Sequence, residues 1–411
     1  MQSEGFEAYA ATVSPTGSVW DRACELYAHL TGTRPDYGAA HAAKAGHTRF
    51  GALVRPRLGA DWPASPIHLL GHSFGGATVR LFAELCEHGS AEERAATPPG
   101  ELSPLFSGAL KGKIRSITTL AAPHNGTTAM HPEANCFGVN VLEFILYSAA
   151  VLDAKIEKLE DFWHYQLEHF GIEKGLTFRE TLERISAYDK SSDSAKHDLS
   201  VEGASAVNRS ITCLPEVYYF SYACDATKEL DLPTADRIKE KITGTRAVRF
   251  VSGLPGQIAA FWKATGDTQA TPPADAPTET NPTGANEVPV QKKSHSLRYP
   301  MPNITLSIAE TCARMAAFAR PEECTPDGIP LDERWQPNDG LVNTISAKAP
   351  FTEPQKDFDP AHIEKGIWQV MPVCSGWDHT DIVGGNRVGG VKEIHAFYRG
   401  IAERLCTMDS E

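Results

Sequence analysis

The 411-residue sequence has no apolar run of the roughly 18 residues that a membrane-spanning helix needs. Its opening, MQSEGFEAYA, lacks the apolar core of a signal peptide. Positive charge is scarce: 39 Lys and Arg stand against 52 Asp and Glu, a formal charge of -13. Such a field repels phosphate backbones and anionic headgroups, so nucleic acid is not an expected partner. The nine cysteines are odd in number and show no CxxC spacing, which leaves at least one outside any intramolecular disulfide and offers no thiolate zinc site. What remains is the composition of a folded chain, 41% apolar and 22% charged, which excludes disorder, collagen and coiled coil as overall descriptions. The length suits two or three domains of roughly 150 residues, or one large α/β unit with insertions.

Apolar patterning along the chain alternates between strand and helix. Residues 9–14 (YAATVS) read as a buried strand, and Trp20 to Leu30 carries Ala23, Leu26, Tyr27 and Leu30 at a helical period. The apolar run Pro66 to Leu70 ends at Gly71, and Ala77 to Leu85 resumes a helical pattern through Val79, Leu81, Phe82 and Leu85. Strands are expected at Ile114 to Leu120 and Val217 to Cys224, and a helix over 392–405 near the C-terminus. Strands spaced by helices imply a mostly parallel sheet covered on both faces. Residues 137–155 are apolar on most sides, as in either a core helix or a cover over an apolar cleft. The Thr-, Pro- and Ala-rich stretch 265–290 reads as a low-complexity insertion.

Gly71-His72-Ser73-Phe74-Gly75 lies between an expected strand and an expected helix, the context that gives G-x-S-x-G its chemical meaning. The turn is tight enough to demand small neighbours, and it exposes the serine hydroxyl at the C-terminal edge of the sheet. A serine hydroxyl is a weak nucleophile at neutral pH, so it needs an imidazole to take its proton and a carboxylate to orient the imidazole. On this fold the acid follows the serine and the histidine comes last. Asp339, in the Asn-Asp-Gly of RWQPNDGLVNT, is the candidate acid, although its local sequence equally suits a turn aspartate bonded to its own backbone. His379, in CSGWDHTDIVG, is the candidate base, since only His395 follows it, inside the expected C-terminal helix.

The blocks WDRACELYAHLTGTRPDYGAAHAAKAGHTRFG, GHSFGG, TTLAAPHNGTT, KHDLSVEGA, RWQPNDGLVNT and GIWQVMPVCSGWDHTDIVG together resemble the thermoalkalophilic, metal-containing bacterial triacylglycerol lipases. The resemblance runs from about Tyr9 to the C-terminal helix, with 227–298 foreign to the pattern. It implies an α/β-hydrolase fold as a single domain over 1–411, a small zinc-binding extra-domain at 20–50 and a helical lid at 128–175. The triad it implies is again Ser73, Asp339 and His379. It further implies structural zinc held by Asp21, His41, His47 and Asp193, where spacing alone would leave His41 and His47 as loop histidines. A calcium site is implied at Asp381 and Asn386, with an amide where the family has a carboxylate and so less charge for the ion.

One oxyanion donor is expected to be the Phe74 amide, directly after the nucleophile. The second comes, in this fold, from an earlier strand-to-helix loop near a His-Gly sequence, and residues 1–20 contain none. The first strand and its oxyanion loop are therefore expected to be missing from the chain as given. The implied activity is hydrolysis of acylglycerols at a lipid–water interface. The alternatives are an esterase or acyltransferase on other lipids, or a lipid-binding paralogue impaired by loss of the oxyanion loop. Compartment stays open, between secretion by analogy with the family and an intracellular site.

Overall fold

The structure is a computed structural model, and it describes residues 6–52, 62–134, 136, 166–172, 176–231, 296–301, 304–385 and 391–409. The apolar segment 137–155, most of the expected lid, the stretch 265–290 and Asn386 lie outside these described residues. Helices α1 (Val19–Thr31) and α2 (Ala39–Ala45) precede strand β1 (Ile67–His72) and α3 (Gly75–His88); α4 (Ala91–Ala96) and α5 (Pro104–Ser107) then lead to β2 (Ile114–Leu120). Next come α6 (Phe178–Asp189), α7 (Ala195–Leu199), α8 (Val201–Asn208), β3 (Tyr218–Tyr222), β4 (Cys224–Asp225) and β5 (Thr227–Asp231). The chain continues through β6 (Ser296–Pro300), α9 (Leu306–Ala317), β7 (Arg320–Cys324), β8 (Pro330–Leu331), α10 (Thr344–Lys348), β9 (Gln355–Asp357), β10 (Trp368–Val370), β11 (Cys374–Ser375) and α11 (Val391–Met408). Residues 229–299 form a compact unit separate from the remainder.

The main sheet has the order β1-β2-β3-β10-β9. Every pair in it is parallel. Alternation along β3 explains how both faces are buried: Tyr218, Phe220 and Tyr222 enter a core with Leu120, Met371, Trp377 and Ile401. Tyr219 enters another with Leu69, Phe82, Ile117 and Trp368. A strand that sends apolar side chains both ways needs cover on both sides. The first cover is α11, which contributes Ile401 and Met408. The second is α1 and α3, through Val19, Leu26, Val79 and Leu85. Helix α1 begins where the Ser18 hydroxyl accepts the Asp21 amide at 3.2 Å, and it ends at Gly32 in the left-handed region.

These features make the fold the α/β-hydrolase type expected from the sequence, with one local difference. Residues 9–14 form no strand. Tyr9 is 47% exposed, and the backbone groups at the end of the segment turn to side chains: the Ser14 amide donates to Glu25 Oε2 at 2.7 Å and its carbonyl accepts from Arg22. Among the described residues no strand pairs with this segment, and Val13 packs instead against the core cluster that contains Val19, Ala23 and Leu26 of α1.

Candidate functional site

Ser73 follows β1 directly and has φ 54°, left-handed backbone that a non-glycine residue adopts only when its surroundings impose it. They do so here: the Ser73 amide donates to Leu120 O at 2.9 Å, and the Gly76 amide closes the turn onto Ser73 O at 2.9 Å. Gly76 is required by packing, since a Cβ there would stand 2.4 Å from the Ala122 Cβ. The side chain is thereby lifted above the C-terminal edge of the sheet, beside the first turn of α3. Phe74 is the N-cap of that helix, and amides at a helix start have no acceptor within the helix.

The ring of His379 lies between Ser73 and Asp339. Its Nδ1 is 2.9 Å from Asp339 Oδ2 and its Nε2 is 2.8 Å from Ser73 Oγ. A carboxylate can only accept, so Nδ1 carries the proton and the neutral ring presents a lone pair at Nε2 to the serine hydroxyl. Asp339 is 0% exposed and His379 4% exposed. The other oxygen of Asp339 accepts the amides of Leu341 and Val342 at 3.0 and 2.8 Å, and the His379 amide donates to Asp339 O at 2.9 Å. Asp339 is thus both the turn aspartate of its local sequence and the partner of His379.

Two neighbours absent from the sequence reading hold His379 in place. Asp378 accepts from the Thr305 amide and hydroxyl at 2.7 and 2.5 Å through one oxygen. Its other oxygen accepts from the Thr380 amide and hydroxyl at 2.8 and 2.9 Å. Burial would raise this carboxyl, but these hydrogen bonds keep it below the usual aspartate value. His72 Nε2 lies 3.0 Å from His379 O and, facing a carbonyl, must be the donor. Burial, then the adjacent His379, lowers its pKa to about 4, so it stays a neutral donor at physiological pH. The GHSFGG motif displays His72, but the meaning of that histidine depends on a contact 307 positions away.

A second constellation brings together Asp21 on α1, His41 on α2, His47 just after it, and Asp193. It is a group that could hold a metal ion, with its ligand atoms all within 4.8 Å of one another. His41 Nε2 is 3.4 Å from Asp21 Oδ1 and 3.3 Å from Asp193 Oδ2; His47 Nε2 is 4.0 and 3.2 Å from the same atoms. All four atoms are buried and make no hydrogen bond. Metal–ligand bonds of about 2.0–2.1 Å in a tetrahedron give ligand–ligand edges of roughly 3.3 Å, so this cluster has the right size as well as the right donors. Its surroundings also aim it: His47 Nδ1 donates to Thr48 O at 2.8 Å, turning the Nε2 lone pair inward, and the Trp20 ring stacks on His41 at 5.1 Å. His169, which the sequence reading missed, lies with Nε2 3.0 Å from Asp21 Oδ2 and so leaves Oδ1 facing the cluster. Against the opposing effect of burial, Asp193 and Asp21 raise His41 to about 9; a dication would displace that proton.

The two residues implied for calcium do not meet as a described set. Asp381 is buried and its Oδ2 accepts the Asp378 amide at 3.0 Å, and Asn386 lies outside the described residues.

Comparison with known proteins points the same way as this geometry. A family described as "Lipase-like, C-terminal domain" matches residues 1–243 and 327–411. A lipase of Staphylococcus epidermidis is 31% identical over 415 residues, which cover 98% of this chain and 48% of that protein. A Staphylococcus hyicus lipase is 29% identical, with coverage of 100% and 53%. The chain therefore spans about half the length of the curated relatives it matches. Among solved structures, the crystal structure of S. hyicus lipase superposes with a TM-score of 0.71 at 27% identity, covering 99% of this chain and 87% of that one. EstA from Clostridium botulinum superposes with a TM-score of 0.69 at 28% identity, covering 98% and 79%.

Proposed function

The chain belongs to the lipase-like family that it matches over most of its length, and from that membership we propose that it is the hydrolytic part of a lipase, cleaving triacylglycerols through an acyl-enzyme on Ser73. The observation that carries this reading is the unbroken hydrogen-bonded line from Asp339 through His379 to the strained Ser73. Ser73 Oγ attacks the acyl carbonyl as His379 Nε2 takes its proton. Asp339 fixes the tautomer and stabilises the imidazolium that forms. The Phe74 amide donates to the oxyanion, and the leaving alcohol takes the proton from His379. Water, activated by the same imidazole, then releases the fatty acid.

Zinc is the ion proposed for Asp21, His41, His47 and Asp193, because a set of two imidazoles and two carboxylates of tetrahedral size suits it. With four protein ligands the site is closed to substrate. The ion would tie α1, α2 and the Asp193 loop together.

Substrate class is tested by measuring fatty-acid release from emulsified triolein beside hydrolysis of soluble p-nitrophenyl acetate. Turnover of the emulsion is expected. Cleavage of only the soluble ester would make the protein an esterase, and no cleavage, with no fluorophosphonate labelling, would make it a binding paralogue.

His72→Phe removes the donor to the His379 carbonyl, an interaction worth about 1 kcal/mol. Turnover number is expected to fall roughly fivefold to tenfold with KM little changed, and His72→Gln, which keeps an N–H, should lose less. The pH response separates this from simple packing. Above the usual 6.5 the ring is neutral in both states; as pH falls from 6.5 toward about 4 the unfolded chain takes up the proton first. Wild-type protein therefore loses stability across that window, and His72→Gln should lose less of it in denaturant titrations.

A further inference from the structure

Outside the hydrolytic site and the metal cluster, two thiols meet at the base of the loop that carries His379. Cys224 in β4 and Cys374 in β11 are direct register partners in a parallel ladder, so their side chains leave the ladder on the same face. Cys224 is 1% exposed, whereas Cys374 is partly exposed and packs against the core cluster that contains Cys224. The neighbouring Cys374 and burial push the Cys224 thiol well above its ordinary pKa. Neighbouring strands lie about 4.8 Å apart, inside the Cα separations of roughly 4.4–6.8 Å that a disulfide spans. The ladder is only two residues long, held by Cys374 N donating to Ala223 O and Gly376 N to Asp225 O, both at 2.8 Å. Thr344 Oγ1 donates to Cys224 O at 2.7 Å, and buried Trp377 lies between Cys374 and His379 in the chain.

We propose that Cys224 and Cys374 are a disulfide-forming dithiol site that takes a low-molecular-weight disulfide as its oxidant and, once closed, staples β4 to β11 at the base of the His379 loop. The more accessible Cys374 attacks first, as its thiolate, on one sulfur of the small disulfide; a Cys374 mixed disulfide forms and one small thiolate leaves. The Cys224 thiolate then attacks Cys374 Sγ and expels the second small thiolate. The two leaving thiolates take up the two protons given up by the cysteines. In balance, two protein thiols are oxidised to one disulfide, and one small disulfide is reduced to two thiols.

The test treats the folded full chain with oxidised glutathione, caps remaining thiols with N-ethylmaleimide, and maps the digest by mass spectrometry without reduction. A peptide joining Cys224 to Cys374 is expected, and Cys224→Ser should stop at a glutathione adduct on Cys374. Dithiothreitol should reverse the link, and the closed form should melt several degrees higher, since the staple spans a long loop. Phenylarsine oxide, which bridges neighbouring thiols without oxidation, should join the same two residues in a fresh sample. A wild-type protein that carries stable glutathione on Cys374 with no cross-link, or that joins other cysteines instead, overturns the proposal. So does failure of phenylarsine oxide to bridge the pair, whatever the state of the hydrolytic site.

Discussion

Ser73→Ala is expected to leave the protein folded and to lower turnover of p-nitrophenyl butyrate by about four to six orders of magnitude. The size follows from the division of labour. In the proposed mechanism Oγ is the atom that forms the acyl bond, and neither His379 nor Asp339 can replace it from its buried place behind the serine. Only an oxygen atom is removed, and alanine meets the same backbone demand at φ 54°, so stability should change by less than about 1 kcal/mol. Thermal midpoint and circular dichroism serve as the control. Asp339→Asn should be nearly as severe, roughly ten-thousandfold, because an amide no longer forces the proton onto His379 Nδ1. Retention of most activity in Ser73→Ala would place the nucleophile elsewhere.

Removal of the metal is expected to act on stability. With His47→Ala the cluster keeps one imidazole and two buried carboxylates, whose free oxygens have no hydrogen-bond partner. Buried charge without compensation costs about 3–5 kcal/mol, and for a chain of this size a midpoint fall of about 4–6 °C is expected. Purified wild-type protein should contain about one zinc per chain by elemental analysis, His47→Ala much less, and strong chelators should bring the wild-type melting curve toward that of the variant. In the proposed site four protein ligands close around the ion, so chelation should slow hydrolysis only to the extent that it unfolds the chain. Metal-free protein with an unchanged melting curve would remove the ion from this account.

How much of this was legible in the sequence depended on whether the signal is local. Ser73 is local: a strand, a turn that demands glycine and a helix lie within one short segment. The sheet was legible for a similar reason, since Ile114 to Leu120 is rich in β-branched residues, with two Ile and two Thr, and the strand occupies those residues. Residues 9–14 misled because small apolar residues signal a strand only where a neighbouring edge exists. The three-residue strands at Gln355–Asp357 and Trp368–Val370 are too short to show a period. His169 was invisible for another reason: it acts on Asp21 across 148 positions, and nothing near it in sequence marks the contact. His41 and His47 show no helix-face spacing, so their meeting with Asp193 came only from likeness to a family until the four atoms were seen to converge.

The most direct measurement is to trap the covalent intermediate. Protein mixed with p-nitrophenyl butyrate, quenched in acid within the first turnovers and digested, should yield the peptide spanning residues 71–76 with a butyryl group on Ser73, and the same peptide from Ser73→Ala should be unmodified. An acyl group found on another residue, or product formed in a burst while Ser73 stays unmodified, would contradict the acyl-enzyme mechanism.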